Sequence, residues 1–191
     1  MTENNSLPIG RRPTFNALRK VYQPKLAQAA VERCDLCSIE LPAEHQHLID
    51  PQNRQILCAC DACAILFSAQ NGTKFKRIPK RYRVLADFQM SDADWDSLLI
   101  PVGMAYFFQN SLAGKVMAYY PSPAGATESL LDLETWDALV QANPIINEML
   151  PDVEALLVNR LKGAREYFLA PIDKCYELVG LIRLNWKGLS G

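Results

Sequence analysis

The chain has 191 residues, 49% of them apolar, and a formal charge of -1 from 20 basic and 21 acidic side chains. That apolar content supplies one sizeable core and excludes wholesale disorder. The charge balance excludes a protein ruled by nucleic-acid or membrane electrostatics, and no apolar run approaches the length of a membrane span.

Residues 1–33 read as a flexible segment with short helices. Pro8, Gly10 and Pro13 punctuate a polar start, Phe15, Leu18 and Tyr22 fit one helical turn, and Pro24 opens a second helix over Lys25 to Arg33. Arg11-Arg12 invites a twin-arginine export reading, but Arg19, Lys20 and Lys25 interrupt any apolar stretch behind it. A cytoplasmic chain is expected, its clustered thiols held by metal in a reducing compartment.

Five of the six cysteines and both histidines fall between Cys34 and Cys63, spaced C-x-x-C, H-x-H, C-x-C-x-x-C. Two C-x-x-C pairs about two dozen residues apart read as a metal site, because each tight turn aims two thiolates at one ion and two turns complete a tetrahedron. Cys34, Cys37, Cys60 and Cys63 are the expected ligands. His45 to Ile49 and Gln55 to Ala59 pair as a hairpin across Asp50-Pro51-Gln52-Asn53, and Asp61 to Phe67 forms a short helix. Knuckle, hairpin and helix in that order look like a treble-clef zinc finger over residues 34–70. In a strand, Cys58 and Cys60 share a face, so Cys58 could replace Cys60 or lie beside the ion. His47 could replace a thiolate or donate a hydrogen bond to one, and His45 is the further alternate.

A closed four-thiolate site has no place for water, so zinc here is expected to be structural. Iron is the alternative, as a rubredoxin-like ion or, with five thiols, an iron–sulfur cluster. The stretch also resembles HNH nucleases, but Ala64 and Ile65 stand where their helix carries a metal-binding histidine.

The run from Lys74 to Arg83 carries Lys74, Lys76, Arg77, Lys80, Arg81 and Arg83 among aromatics, with Pro79 making it an edge strand or two short strands. Its first reading is a solvated edge blunted by charge; the alternative gives those cations to nucleic acid. Ser91 with Asp94 starts a helix whose apolar face is Trp95, Leu98 and Leu99. Pro101 to Phe108 and Lys115 to Tyr120 read as strands, Ser122 to Ser129 as a loop of small residues, and Leu133 to Gln141 as a helix stopped by Asn143-Pro144. A short helical segment spans Ile145 to Leu150. Val153 to Val158 and Glu166 to Ala170 form a second hairpin turning at Leu161-Lys162-Gly163, and Asp173 caps a last helix, Lys174 to Trp186. Hairpin, helix, hairpin, helix gives an α+β domain over 71–191: an antiparallel sheet with helices packed on it.

A protein partner is expected on that domain, at Ser122, Gly125 and Thr127 in the small-residue loop and at Arg160 and Arg165 beside the tight turn. Prolines limit the loop's freedom, and two guanidinium groups can face one acidic patch. The competing reading has Thr127 and Ser129 capping the next helix and the arginines pairing with Glu128 or Glu166.

Three strings, CDLCSIELPAEHQHLID with ILCACDACAILF, YYPSPAGATESLLDLETWDALV, and PDVEALLVNRLKGAREYFLAPIDKCYELVGLIRLNWKGLSG, resemble a bacterial protein family without an assigned activity. Its genes often lie in clusters for high-affinity uptake NiFe-hydrogenases. The resemblance implies a non-enzymatic accessory role in assembling, maturing or serving that metalloenzyme, with a hydrogenase subunit or maturation factor as partner. The family pattern holds Cys58 with the other four thiols, so it does not choose among ligands.

Overall fold

The protein was analysed as a computed structural model that describes residues 31–68, 74–130 and 133–186. Two antiparallel sheets organise the compact unit Glu32–Gly191. The smaller begins with the expected hairpin, β1 (Gln46–Asp50) and β2 (Gln55–Ala59), followed by helix α1 (Asp61–Ser68). Its turn holds because Asp50 accepts the Gln52 N–H at 3.0 Å and Asn53 accepts the Gln55 N–H at 2.9 Å, each side chain bonding backbone two residues on. A third strand, β3 (Lys76–Arg77), pairs with β1, giving the order β2-β1-β3.

The larger sheet contains β4 (Arg83–Val84), β5 (Met104–Asn110), β6 (Lys115–Ser122), β7 (Gly125–Ser129), β8 (Glu154–Asn159) and β9 (Glu166–Pro171). They lie in the order β4-β9-β8-β5-β6-β7. Along β5 the side chains alternate between two cores. Ala105 and Phe107 join Trp95 of α2 (Asp92–Ser97) and Trp136 and Leu139 of α3 (Leu133–Ala142), while Tyr106 and Phe108 join Ile172, Cys175 and Val179 of α4 (Ile172–Leu184). A sheet covered on both faces needs apolar residues in both registers, which is why β5 reads Met-Ala-Tyr-Phe-Phe without alternation.

The small sheet takes part in this arrangement. Leu48 packs with Leu41, Ala59 and Ala64 around the cysteines, whereas its neighbour Ile49 packs with Tyr106, Phe108 and Tyr119 of the large sheet. Strand periodicity thus gives one hairpin two buried faces.

Several expectations change. The two helices expected in 1–33 lie outside the described residues, except that Arg33 is extended and bridges Glu40. Ser122 to Ser129 is not a loop: β6 runs through Ser122, the chain turns at 123–124, and β7 returns as an edge strand. Gly125, at φ +112°, makes that turn. Composition misled here because an edge strand with one paired neighbour tolerates small polar residues. The basic run splits around Pro79, β3 entering the small sheet and β4 the large one. The last helix starts at Ile172 after Pro171, and Asp173 makes no N-terminal cap.

Candidate metal centre

The knuckle is shaped by backbone. The Cys34 N–H donates to Ile39 O at 2.9 Å, the Ser38 N–H donates to Cys34 O at 2.8 Å, and Ser38 takes φ 63° to close the turn. Asp35 ties the knuckle to β2: its N–H donates to Cys58 O at 2.9 Å and its carboxylate accepts the Cys58 N–H at 2.6 Å. Cys60 stands just before α1, where its sulfur faces the Cys63 N–H at 3.4 Å. The sulfurs of Cys34, Cys37, Cys60 and Cys63 all lie within 4.8 Å of one another, and those of Cys37 and Cys60 are 3.7 Å apart. Metal–sulfur bonds of about 2.3 Å in a tetrahedron put sulfurs about 3.8 Å apart. The spacing fits one mononuclear ion, and it is too tight to straddle a multi-iron cluster.

The thiols are electrostatically unequal. Burial pushes the Cys34 thiol up, but backbone N–H groups of Cys60, Leu36 and Cys37 outweigh it and bring the group down to about 6. Burial, then the sulfurs of Cys60, Cys37 and Cys34, pushes Cys63 up. At Cys37 the Ile39 N–H favours the thiolate, yet the Cys34 sulfur and burial carry the group upward. The fold thus favours the thiolate at Cys34 and opposes it at Cys37 and Cys63, where a bound cation would offset the crowding.

The chain belongs to the family of unknown function DUF5947. Residues 33–191 match that family, so the match begins one residue before the knuckle and takes in all six cysteines. No curated protein and no solved structure matches the chain.

In this DUF5947 chain the alternates group elsewhere. Cys58, His45 and His47 form a second cluster, with one donor atom from each lying within 4.8 Å of the others. The expected sharing of a face by Cys58 and Cys60 fails because β2 ends at Ala59. The chain bends there into α1, so Cys60 turns to the knuckle while Cys58, paired with His47 across the hairpin, stays with the histidines.

The basic segment is engaged with its own protein. Lys74 meets Asp50 at 3.2 Å, Lys76 meets Asp152 at 2.5 Å, and Arg77 donates to Gln46 at 3.1 Å. Arg81 donates to Glu154 through Nε at 2.8 Å, and Arg83 meets Glu148 at 3.0 Å. Lys80 lines a groove beside His47. Asp50, Asp152 and Glu154 are buried carboxylates, so Lys74, Lys76 and Arg81 neutralise the fold's own interior charge.

Arg160 and Arg165 converge on one residue, Asp92, in the first turn of α2. Arg165 donates to both carboxylate oxygens, at 3.0 and 2.8 Å. Arg160 ion-pairs with the same carboxylate, donates to Ser91 O at 3.2 Å, and lies over the Trp95 ring. Neither Glu128 nor Glu166 is the recorded partner. Thr127 and Ser122 bond each other at 2.8 Å across the β6–β7 turn, so Thr127 belongs to the hairpin. Pro121, next to Ser122, and Leu161, next to Arg160, line one cleft of about 680 Å³ with Ile182 and Trp186. Nothing in the sequence signals that Asp92 meets two arginines or that Asp173 meets His47; each sits at a helix start, where an acidic residue reads as a cap or a match for the helix dipole.

Proposed function

We propose that this DUF5947 chain is a non-enzymatic accessory protein that works through protein–protein contacts, its four-thiolate centre holding a structural zinc ion. The observation that carries this reading is the set of four sulfurs gathered within 4.8 Å of one another. Four protein donors fill a tetrahedral ion's coordination, so such a site stabilises a fold and leaves no position for substrate. Zinc suits a closed tetrathiolate; mononuclear iron suits it too and is distinguished by its colour. The hydrogenase enters through the family resemblance: the proposed partner is a subunit or maturation factor of a NiFe-hydrogenase.

The proposed docking surface is the end of the large sheet that carries Ser122, Gly125 and Thr127 on the edge hairpin and Arg165 near the β8–β9 turn. Among the described residues, edge strand β7 pairs with β6 alone and can accept an added strand. The test is co-purification from a host carrying the hydrogenase genes, with wild type, Arg165→Ala and Ala124→Arg compared. Arg160 is left intact because its buried pairing holds α2. Recovery of a hydrogenase subunit or maturation factor with wild type, reduced in the folded variants, supports the reading. No hydrogenase component with wild type sinks the partner; equal recovery with all three proteins sinks the surface.

A further inference from the structure

We propose that His45, His47 and Cys58 form a second metal site, which takes a divalent late first-row transition ion and keeps one coordination position open to a groove. The proposal goes beyond the accessory role and needs neither the partner nor the four-thiolate ion.

The hydrogen bonds fix where the imidazole protons sit. His45 Nδ1 is 2.9 Å from Pro42 O, and His47 Nδ1 is 2.6 Å from Asp173 Oδ2. A carbonyl and a carboxylate only accept, so each Nδ1 carries the hydrogen. With the second ring proton absent, each ring presents a bare lone pair at Nε2, and the two Nε2 atoms face each other at 3.2 Å. Two lone pairs at that distance repel unless a positive centre lies between them. Nitrogens bound at about 2.0–2.1 Å to a tetrahedral ion stand about 3.3 Å apart, close to the spacing found.

The third donor decides between a proton and a metal. A shared proton needs nothing beyond the two rings. Here the Cys58 sulfur lies within 4.8 Å of one ring nitrogen of each histidine, on the strand position that pairs with His47 across the hairpin. A carboxylate behind one histidine and a carbonyl behind the other is the arrangement that orients metal-bound imidazoles and raises their basicity. The His45 side chain is 6% exposed, His47 27% and Asp173 12%, so the rings are held by packing.

Two imidazoles and a thiolate suit zinc, nickel, cobalt or copper and exclude magnesium and calcium, which prefer oxygen. Three protein donors leave one tetrahedral position vacant. A groove of about 200 Å³, lined by Pro79, Lys80, Tyr82 and Lys174 among others, borders both histidines. Water or an exchanging ligand can enter there, and binding releases the Cys58 thiol proton to solvent. Unlike the closed thiolate centre, this one can load and unload.

The test uses the full chain, purified anaerobically, stripped of metal and titrated with zinc in competition with a chelator; bound zinc is counted by mass spectrometry. Wild type is expected to bind two equivalents. His45→Ala/His47→Ala, shown folded by circular dichroism, should bind one. Asp173→Asn, which leaves all three donors in place, should weaken the second equivalent by about 10–100-fold. With cobalt, the second equivalent should add a weak thiolate charge-transfer band that Cys58→Ser removes while the intense four-thiolate bands persist. One equivalent in wild type, with nitrogen chemical shifts showing a proton shared between the Nε2 atoms, overturns the site. A second equivalent untouched by all of these variants places the ion elsewhere and overturns it as well.

Discussion

His47 and Asp173 meet at 2.6 Å although 126 positions separate them in the chain. The contact joins the first strand of the cysteine-bearing hairpin to the first turn of the last helix. The small sheet is therefore fastened to the large one by a charge-assisted hydrogen bond whose two members are mostly buried.

Asp173→Ala is expected to destabilise the protein by about 1.5–3 kcal/mol, the usual range for a hydrogen bond to a charged group. Asp173→Asn should cost less, because its amide oxygen still accepts from Nδ1. Urea unfolding measures the difference, and hydrogen exchange should quicken in β1 and β2 before it does in β5. An unchanged midpoint in the alanine variant would show that the contact contributes nothing to stability.

Metal removal should loosen the knuckle side and spare the large sheet. The buried apolar residues around the cysteines are few, Leu41, Leu48, Ala59 and Ala64, with Leu36, Leu57 and Phe75 only partly buried against them, so ligation must supply much of the local stability, on the order of 10 kcal/mol. Verified metal-free protein should show fast amide exchange in residues 34–63 and protected amides in β5 and β8. Cys34→Ser, Cys37→Ser, Cys60→Ser and Cys63→Ser should each lower the content of the tight ion, whereas Cys58→Ser should keep it. Loss of that ion in Cys58→Ser with retention in Cys60→Ser would reverse the ligand set.

Asp152 is a compact anchor. At φ 70° it accepts from the Ser111 N–H at 2.9 Å, from the Ser111 hydroxyl, and from Lys76 of the small sheet, while being 3% exposed. Asp152→Ala should cost about 3 kcal/mol, because it strands these donors and puts alanine in the left-handed region. Asp152→Asn tolerates that backbone and keeps an acceptor, so it should cost less than half as much. Equal losses in the two variants would refute this account.

High pH should destabilise the protein, in part through its last helix. Burial, with Asp173 adding to it, pushes the Cys175 thiol from an ordinary 9.0 up to about 12. Burial likewise pushes the Tyr176 hydroxyl from 10.0 up to about 12, against the pull of Arg54. In the unfolded chain these groups lose their protons from about pH 9 and 10, while in the folded chain they keep them to about pH 12. Stability should therefore be complete below pH 9 and fall as pH rises, with a slope of about 1.4 kcal/mol per pH unit for each group. In Cys175→Ala the slope between pH 9 and 10 should flatten; the same slope as wild type would contradict the assignment.

What was legible in the chain followed from local chemistry. The C-x-x-C turns, the Asp50–Asn53 turn, the Ser91 helix start and the apolar run of β5 each act through neighbours, so spacing alone reveals them. Ser122 to Ser129 was illegible because an edge strand needs no apolar side chain to be held. Cys60 stands with the expected four thiols, but Cys58 does not share its face, because strand periodicity stops where β2 does, one residue short of Cys60. The partners of Arg160 and Arg165 could not be read because Asp92 lies about 70 positions away, and only the fold brings it near.

The alternation of Leu48 and Ile49 between two interiors has a practical consequence. A small cysteine-bearing module is commonly treated as a cassette, to be cut out and grafted. Here a gene split near residue 70 would expose Ile49 and Ile56 on one product and Tyr106, Phe108 and Tyr119 on the other. Lys74 would remain with the second product while its partner Asp50 left with the first. Each half would be born with a raw apolar wound, so the two should aggregate when made separately and become soluble when made together.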